Sequence, residues 1–141
     1  MRVGLVGCVK SKQSRAAPAR ELYTSPLFRG RRAWVERSCD RWFILSAKHG
    51  LVGPGRLLAP YDETLTALPR AARRRWSAMV VQALDQALGG LSGVVIELHA
   101  GLPYLDHGLA AGLRERGAAL EHPVHGLAFG QQLAFYKQAP R

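Results

Sequence analysis

The sequence predicts an α/β protein: a single three-layer domain with a mainly parallel sheet of about four strands and helices on both faces. Three observations carry that prediction. Short apolar runs alternate with helical patterns along the whole chain. The runs are apolar almost throughout rather than alternating, as expected for strands buried on both faces. Hydrophobic residues make up 48% of the 141 residues and charged residues 21%, enough for one packed core and too little charge for disorder. One domain is expected to span 1–141.

Each element has its own reason. Residues 2–8 (RVGLVGC) form a short apolar run with valines at alternate places, read as the first strand. Residues 16–21 read as loop. A helix starts after Ser25, with Ser at the N-cap and Pro26 at the first helical position. Its Leu27, Trp34 and Val35 share one face and its arginines the other. RWFILS at 41–46 is the second strand, followed by a Gly/Pro-rich loop over 47–62. The longest helical pattern follows Leu68-Pro69, with Trp76, Met79, Val80, Ala83, Leu84 and Leu88 at three- and four-residue spacing. Gly89-Gly90 ends it. GVVIEL at 93–98 is the third strand, and Leu105, Leu109 and Leu113 mark a helix stopped by Gly117. AALE at 118–121 is a weaker fourth strand, leading through a loop into a last short helix.

Twenty Lys and Arg against ten Asp and Glu leave a formal charge of +10, with a pI near 10.6. Such a field favours polyanions, so nucleic acid is the expected partner, DNA in preference to RNA. An arginine- and alanine-rich composition gives the same charge with no partner at all. Arg31, Arg32, Arg73 and Arg74 are the candidate phosphate contacts. Cys8 and Cys39 form no disulfide framework and no zinc spacing, which suits a reduced, cytoplasmic protein. Met1 opens onto a strand rather than a signal peptide, and no apolar run is long enough for a bilayer, so no membrane partner is expected.

In open parallel sheets, ligands bind outside the carboxyl ends of the strands. The first strand leaves through Cys8, Lys10, Ser11 and Lys12, and the second through Ser46, Lys48 and His49, continuing to Tyr61 and Asp62. The third ends at His99, with Gly101 and Tyr104 beyond it, and the fourth at His122, Pro123, His125 and Gly126. Four of the five histidines therefore gather at one edge; His107 lies on a helix beyond it. Loops held there by a rigid scaffold commonly carry function.

No phosphate-loop or dinucleotide fingerprint is present and no motif calls for a cofactor. Gly7 to Lys12 is nonetheless a sensible anion grip. Cys8 is either a nucleophile activated by nearby cations or a small buried residue closing a strand. His49 and His125 are candidates for general acid or for stabilising an anionic leaving group. Asp62 either orients water or caps the turn before LTAL. A metal site built from His49, His122, His125 and Asp62 has no supporting spacing, and none is expected. Tyr23, Tyr61 and Tyr104 have the chemistry to stack on a base.

The segments GCVKSK, ELYTSPLF, ILSAKHGL, APYDETL and PVHGLAFGQQL resemble a bacterial and phage domain family of unknown function. That family shares a C-x-K-x-K strand exit, an LY-x-S-x-x-F segment, an LSAKHGL loop, a PYD-x-TL loop and a final P-x-x-GL-x-x-G-x-Q. More distantly, Cys8, Lys10 or Lys12, Tyr23 and Ser25 resemble a run in the archaeosine synthase core, in the same broad group as the peroxide-stress protein YaaA. The layout is also similar to the uracil-DNA glycosylase fold, where an Asp-bearing loop and an HP-containing loop flank a flipped base. Tyr61-Asp62 and His122-Pro123 stand in comparable places, although no GQDPYH-like motif follows the first strand. The resemblance implies a site built from Cys8, Lys10, Lys12, Tyr23, Ser25, Ser46, His49, Asp62, Gly126, Gly130 and Gln131, with Ser11 and Tyr61 beside them.

Three functions fit these observations. The first is a DNA glycosylase-like enzyme that cleaves or exchanges the N-glycosidic bond of a modified or damaged base. Asp62 would position water, and His49 or His125 would stabilise the leaving base. The second is a non-enzymatic DNA-binding module for stress protection. The third is an enzyme acting on a free nucleotide or modified base.

Overall fold

A computed structural model describes residues 1–7 and 12–138; Cys8, Lys10 and Ser11 lie outside the described residues. Four parallel strands form the sheet: β1 (Arg2–Gly7), β3 (Arg41–Ser46), β6 (Val95–His99) and β7 (Ala119–Glu121). β4 (Gly50–Val52) adds an antiparallel edge beside β3, giving the order β4-β3-β1-β6-β7. β1 is central, with Leu5 opposite Phe43 on one side and Leu98 on the other.

The helices divide between the faces. α2 (Pro26–Ser38) and α6 (Phe129–Tyr136) pack together on one, while α3 (Arg70–Leu88) and α5 (Leu109–Glu115) cover the other. This division follows from topology. The chain crosses from β1 to β3 in one direction and from β3 to β6 in the other, and right-handed crossovers in opposite directions put their helices on opposite faces. The α3/α5 face buries Val3, Leu5, Phe43, Leu45, Ile96 and Leu98 against Trp76, Val80, Leu84, Leu109 and Leu113. The reversal makes the carboxyl ends of β1 and β6 a topological switch point.

Local signals explain most boundaries. The Ser25 hydroxyl accepts the Phe28 N–H at 3.1 Å, and Pro26 occupies the first turn of α2. Gly89 ends α3 in the left-handed conformation, with φ of 68°. Gly30 lets α6 approach α2, because a Cβ there would lie 2.8 Å from that of Tyr136.

Several expectations are corrected. Residues 16–21 are not loop: β2 (Ala17–Pro18) and α1 (Ala19–Leu22) lie there, and β2 pairs with β5 (Leu57–Leu58). The segment 47–62 carries β4 and β5, too short to show a period of their own. The helix around Leu105 is two, α4 (Leu102–Leu105) and α5, and His107 lies in the turn between them. Met79 is 62% exposed, off the buried stripe of α3.

Candidate functional site

The end of β3 builds one wall. Ser46 and Gly50 pair across a three-residue turn, Ala47 to His49, and Gly50 takes the positive φ of 71° that closes it. The Ser46 hydroxyl accepts the His49 N–H at 3.1 Å and lies 2.7 Å from the Tyr61 hydroxyl. Tyr61 and Tyr23 hydroxyls are 2.5 Å apart, so three buried hydroxyls form a chain. The His49 ring meets the Tyr61 ring edge-on at 5.4 Å, and the Lys12 ammonium stands 4.5 Å from the Tyr61 ring centre. Burial lowers the His49 pKa, and the charges of Arg56 and Lys48 add to this. His49 is therefore neutral near pH 7 and acts as a hydrogen-bond donor or a base rather than as a standing cation.

A second wall stands beyond β6 and β7. A cleft of about 410 Å³ is lined by Ala100, Gly101, His122, His125, Gly126 and Gln132, among others. The His122 and His125 rings are 5.2 Å apart. His122 is held neutral, chiefly by burial and then by His125, although its bond to the Ala100 backbone works the other way. Gly126 makes the turn into α6 with a φ of 78°.

Behind both walls lies a buried polar network, all of it on the α2/α6 face. Glu97 Oε2 accepts from Arg2 at 2.8 Å. Glu97 Oε1 accepts from His99 Nε2 at 2.9 Å, Trp34 Nε1 at 3.2 Å and Ser38 at 3.3 Å. Burial alone raises the Glu97 pKa and is the largest single influence, but the bonds and charges of His99 and Arg2 together bring it down to about 2. His99 is fully buried, and that burial lowers its pKa. A neutral ring that donates Nε2–H to Glu97 accepts at Nδ1, so the Tyr136 hydroxyl, 2.7 Å away, is the donor there. Burial pushes the Tyr136 phenol up to about 12. Arg31, 5% exposed, lies against Tyr136 and donates to the Gly7 carbonyl at 3.2 Å and to Gln132 at 3.5 Å. The guanidinium thus ties the end of β1 to the helix that lines the cleft.

The expected site residues therefore divide. Lys12, Tyr23, Ser46, His49 and Tyr61 come together, with exposed Asp62 next in the chain. Among the described residues the Asp62 carboxylate has no hydrogen-bond partner, and it does not cap the turn at Leu65–Ala67. His125 and Gly126 belong to the other wall. The end of β3 is three strand spacings from that of β7, about 14 Å, so His49 and His125 do not converge on one atom. Among the described residues no three His, Cys, Asp or Glu side chains gather as a metal would require.

Other residues have structural work. Ser25 caps α2, and the Gln131 side chain accepts the Ala128 N–H at 2.9 Å. Gly130 is exposed, and a Cβ there would meet nothing within 4 Å. Three of the four arginines expected on phosphate are already engaged. Arg31 is buried; Arg32 bonds Glu36 and the Arg20 carbonyl; Arg73 bonds the Leu68 and Thr66 carbonyls and His107. Arg74 remains exposed. Glu97, His99, Tyr136 and Gln132 were not anticipated as a unit. Their signal was a charged residue inside an apolar strand, with a histidine two places on and so on the same face.

Fold and site together define an open, mainly parallel α/β protein with a two-walled, basic crevice at its switch point. The chain belongs to the family of unknown function DUF6884, whose model matches residues 3–138. No curated protein and no solved structure matches it.

Proposed function

We propose that the protein processes a base within a nucleic-acid chain, breaking or exchanging its N-glycosidic bond. The observation that carries this reading is the pair of walls on either side of the β1 exit, in a chain of +10 charge. One wall offers Lys12, His49, Tyr61 and Asp62; the other offers His122 and His125 around a cleft of base-accommodating size. Two groups about 14 Å apart suit a substrate longer than one ring, such as a nucleotide with its flanking phosphate. The distant likeness to the archaeosine synthase core and to YaaA points to the same substrate class.

In the hydrolytic form, the bond between the sugar C1′ and the base nitrogen breaks, and both electrons leave with the base. Water adds to C1′ and gives up its proton, which Asp62 accepts. A histidine N–H stabilises the departing nitrogen. The test is incubation of the protein with oligonucleotides carrying uracil, hypoxanthine, oxidised purines or 7-deazaguanines, followed by mass spectrometry for free base and abasic product. A product that falls at least about a hundredfold in Asp62→Asn supports the reading. Salt-sensitive binding with every base intact supports instead the non-enzymatic binding module. That second reading draws on one observation: nothing described orients the Asp62 carboxylate.

A further inference from the structure

We infer that Leu102 and Phe129 form an apolar lip that enters the base stack of the bound nucleic acid. This rests on the nucleic-acid reading above and deepens it. Among the described residues the large apolar side chains that are more than half exposed are Met1, Leu57, Met79, Leu102 and Phe129. Scattered exposure of this kind is ordinary. Leu102 and Phe129 are not scattered, because both stand where the chain leaves a strand end for a helix.

Leu102 is the first residue of α4, is 51% exposed and lines the cleft that holds His122 and His125. It also lines the adjoining hollow with Arg114. Phe129 is the first residue of α6, is 61% exposed and follows Ala128, another lining residue of the same cleft. Each belongs to a stripe that is buried further along its helix. In α4 the stripe runs from Leu102 to buried Leu105; in α6 it runs from Phe129 through Leu133 to buried Tyr136. Both stripes therefore overhang the sheet edge by one side chain, beside a cleft of base-accommodating size.

The surroundings choose the occupant. Exposed Arg74 and Arg114, the two cleft histidines and the net charge of +10 all suit an anionic chain. A nucleobase brings flat apolar faces together with that negative charge. Apolar side chains inserted at a base step hold a duplex open and fill the place a displaced base leaves.

The experiment uses a duplex carrying 2-aminopurine, whose fluorescence rises on unstacking, with affinity followed in parallel by anisotropy. The wild type is compared with Leu102→Ala, Phe129→Ala and the double variant. Leu57→Ala, equally exposed but remote in the sheet order, is the control. The expected result is a fluorescence rise with the wild type and the control, largely lost in the double variant, with duplex affinity weakened about tenfold. Binding to the corresponding single strand weakens less. Duplex binding without any rise, or an equal rise in the double variant, overturns the lip and leaves the nucleic-acid reading standing. Self-association through the lip, lost in the double variant without nucleic acid, also overturns it. No binding to any oligonucleotide overturns both.

Discussion

The two faces of the sheet are built from the same strands and differ in kind. Beneath α3 and α5 the strands present Val3, Leu5, Phe43, Leu45, Ile96 and Leu98 to an apolar layer. Beneath α2 and α6 the alternate positions include Ser46, Glu97 and His99, joined by Tyr23, Tyr61, Arg31 and Tyr136. Burying such groups is costly even when every bond is made, and apolar residues of similar size commonly serve stability as well or better. The apolar face accounts for folding. The polar face accounts for placement, since its bonds end on the Ser46 turn, the Gly7 carbonyl and Gln132, the parts that frame the crevice.

The sharpest way to break this comparison is to damage each face once. Glu97→Ala removes the acceptor shared by Arg2, His99, Trp34 and Ser38 and is expected to cost about 3–5 kcal/mol in urea unfolding. Leu84→Ala is expected to cost about 2–5 kcal/mol. The faces then separate by a second readout, nucleic-acid affinity per folded molecule. It falls in Glu97→Ala and is unchanged in Leu84→Ala. Equal behaviour of the two would dissolve the distinction.

Gly7→Ala probes the switch point. Its Cβ would sit 2.8 Å from the Ala100 Cβ and 3.2 Å from the Ala100 Cα, forcing β1 and β6 apart where the crevice begins. A loss of about 1–3 kcal/mol is expected, measured by thermal or urea unfolding.

Acid should act mainly on the polar face. Glu97 and His99 both have folded-state pKa values below their unfolded ones, so their contributions are present at high pH and lost as pH falls. For His99 the loss begins as pH drops through its ordinary value near 6.5, because the unfolded chain then takes up a proton the folded one refuses. For Glu97 the loss begins near the ordinary carboxylate value of about 4.3 and continues toward about 2. His49 and His122 act in the same direction as His99. The urea midpoint is therefore expected to fall between pH 7 and 5, and to fall less steeply in His99→Gln. An unchanged slope in that variant would remove His99 from the account.

The smallest effect concerns Gly130. Its added methyl meets nothing, and Ala favours the helix by up to about 1 kcal/mol. Gly130→Ala is expected to hold or slightly raise the melting temperature while weakening nucleic-acid binding. Unaltered binding would take Gly130 off the contact surface.

How much of this was legible in the sequence depends on how far apart the partners lie. Ser25-Pro26 at a helix start, Gly89 at a helix end, and the order of strands and helices were readable because periodicity and capping involve residues a few positions apart. The resemblance to a family of unknown function was legible in motifs, and the family model bears it out. Several of those motifs prove to carry structural roles besides any chemical one: Ser46 anchors the SAKHG turn and Gln131 caps α6.

What only the tertiary structure decided is where the polar groups point. By sequence Arg31 was one arginine among several on a helix; folded, it is buried against a carbonyl 24 positions away and an amide 101 positions away. The Tyr23–Tyr61 contact spans 38 positions, and the bond from Arg2 to Glu97 spans 95. The histidines that the sequence gathered at one edge are divided by the strand order β3-β1-β6-β7, and His99 is turned beneath the sheet. The physical reason is the same throughout. An apolar pattern acts through neighbours in the chain, whereas a buried charge is tolerable only where distant partners have been brought to meet it.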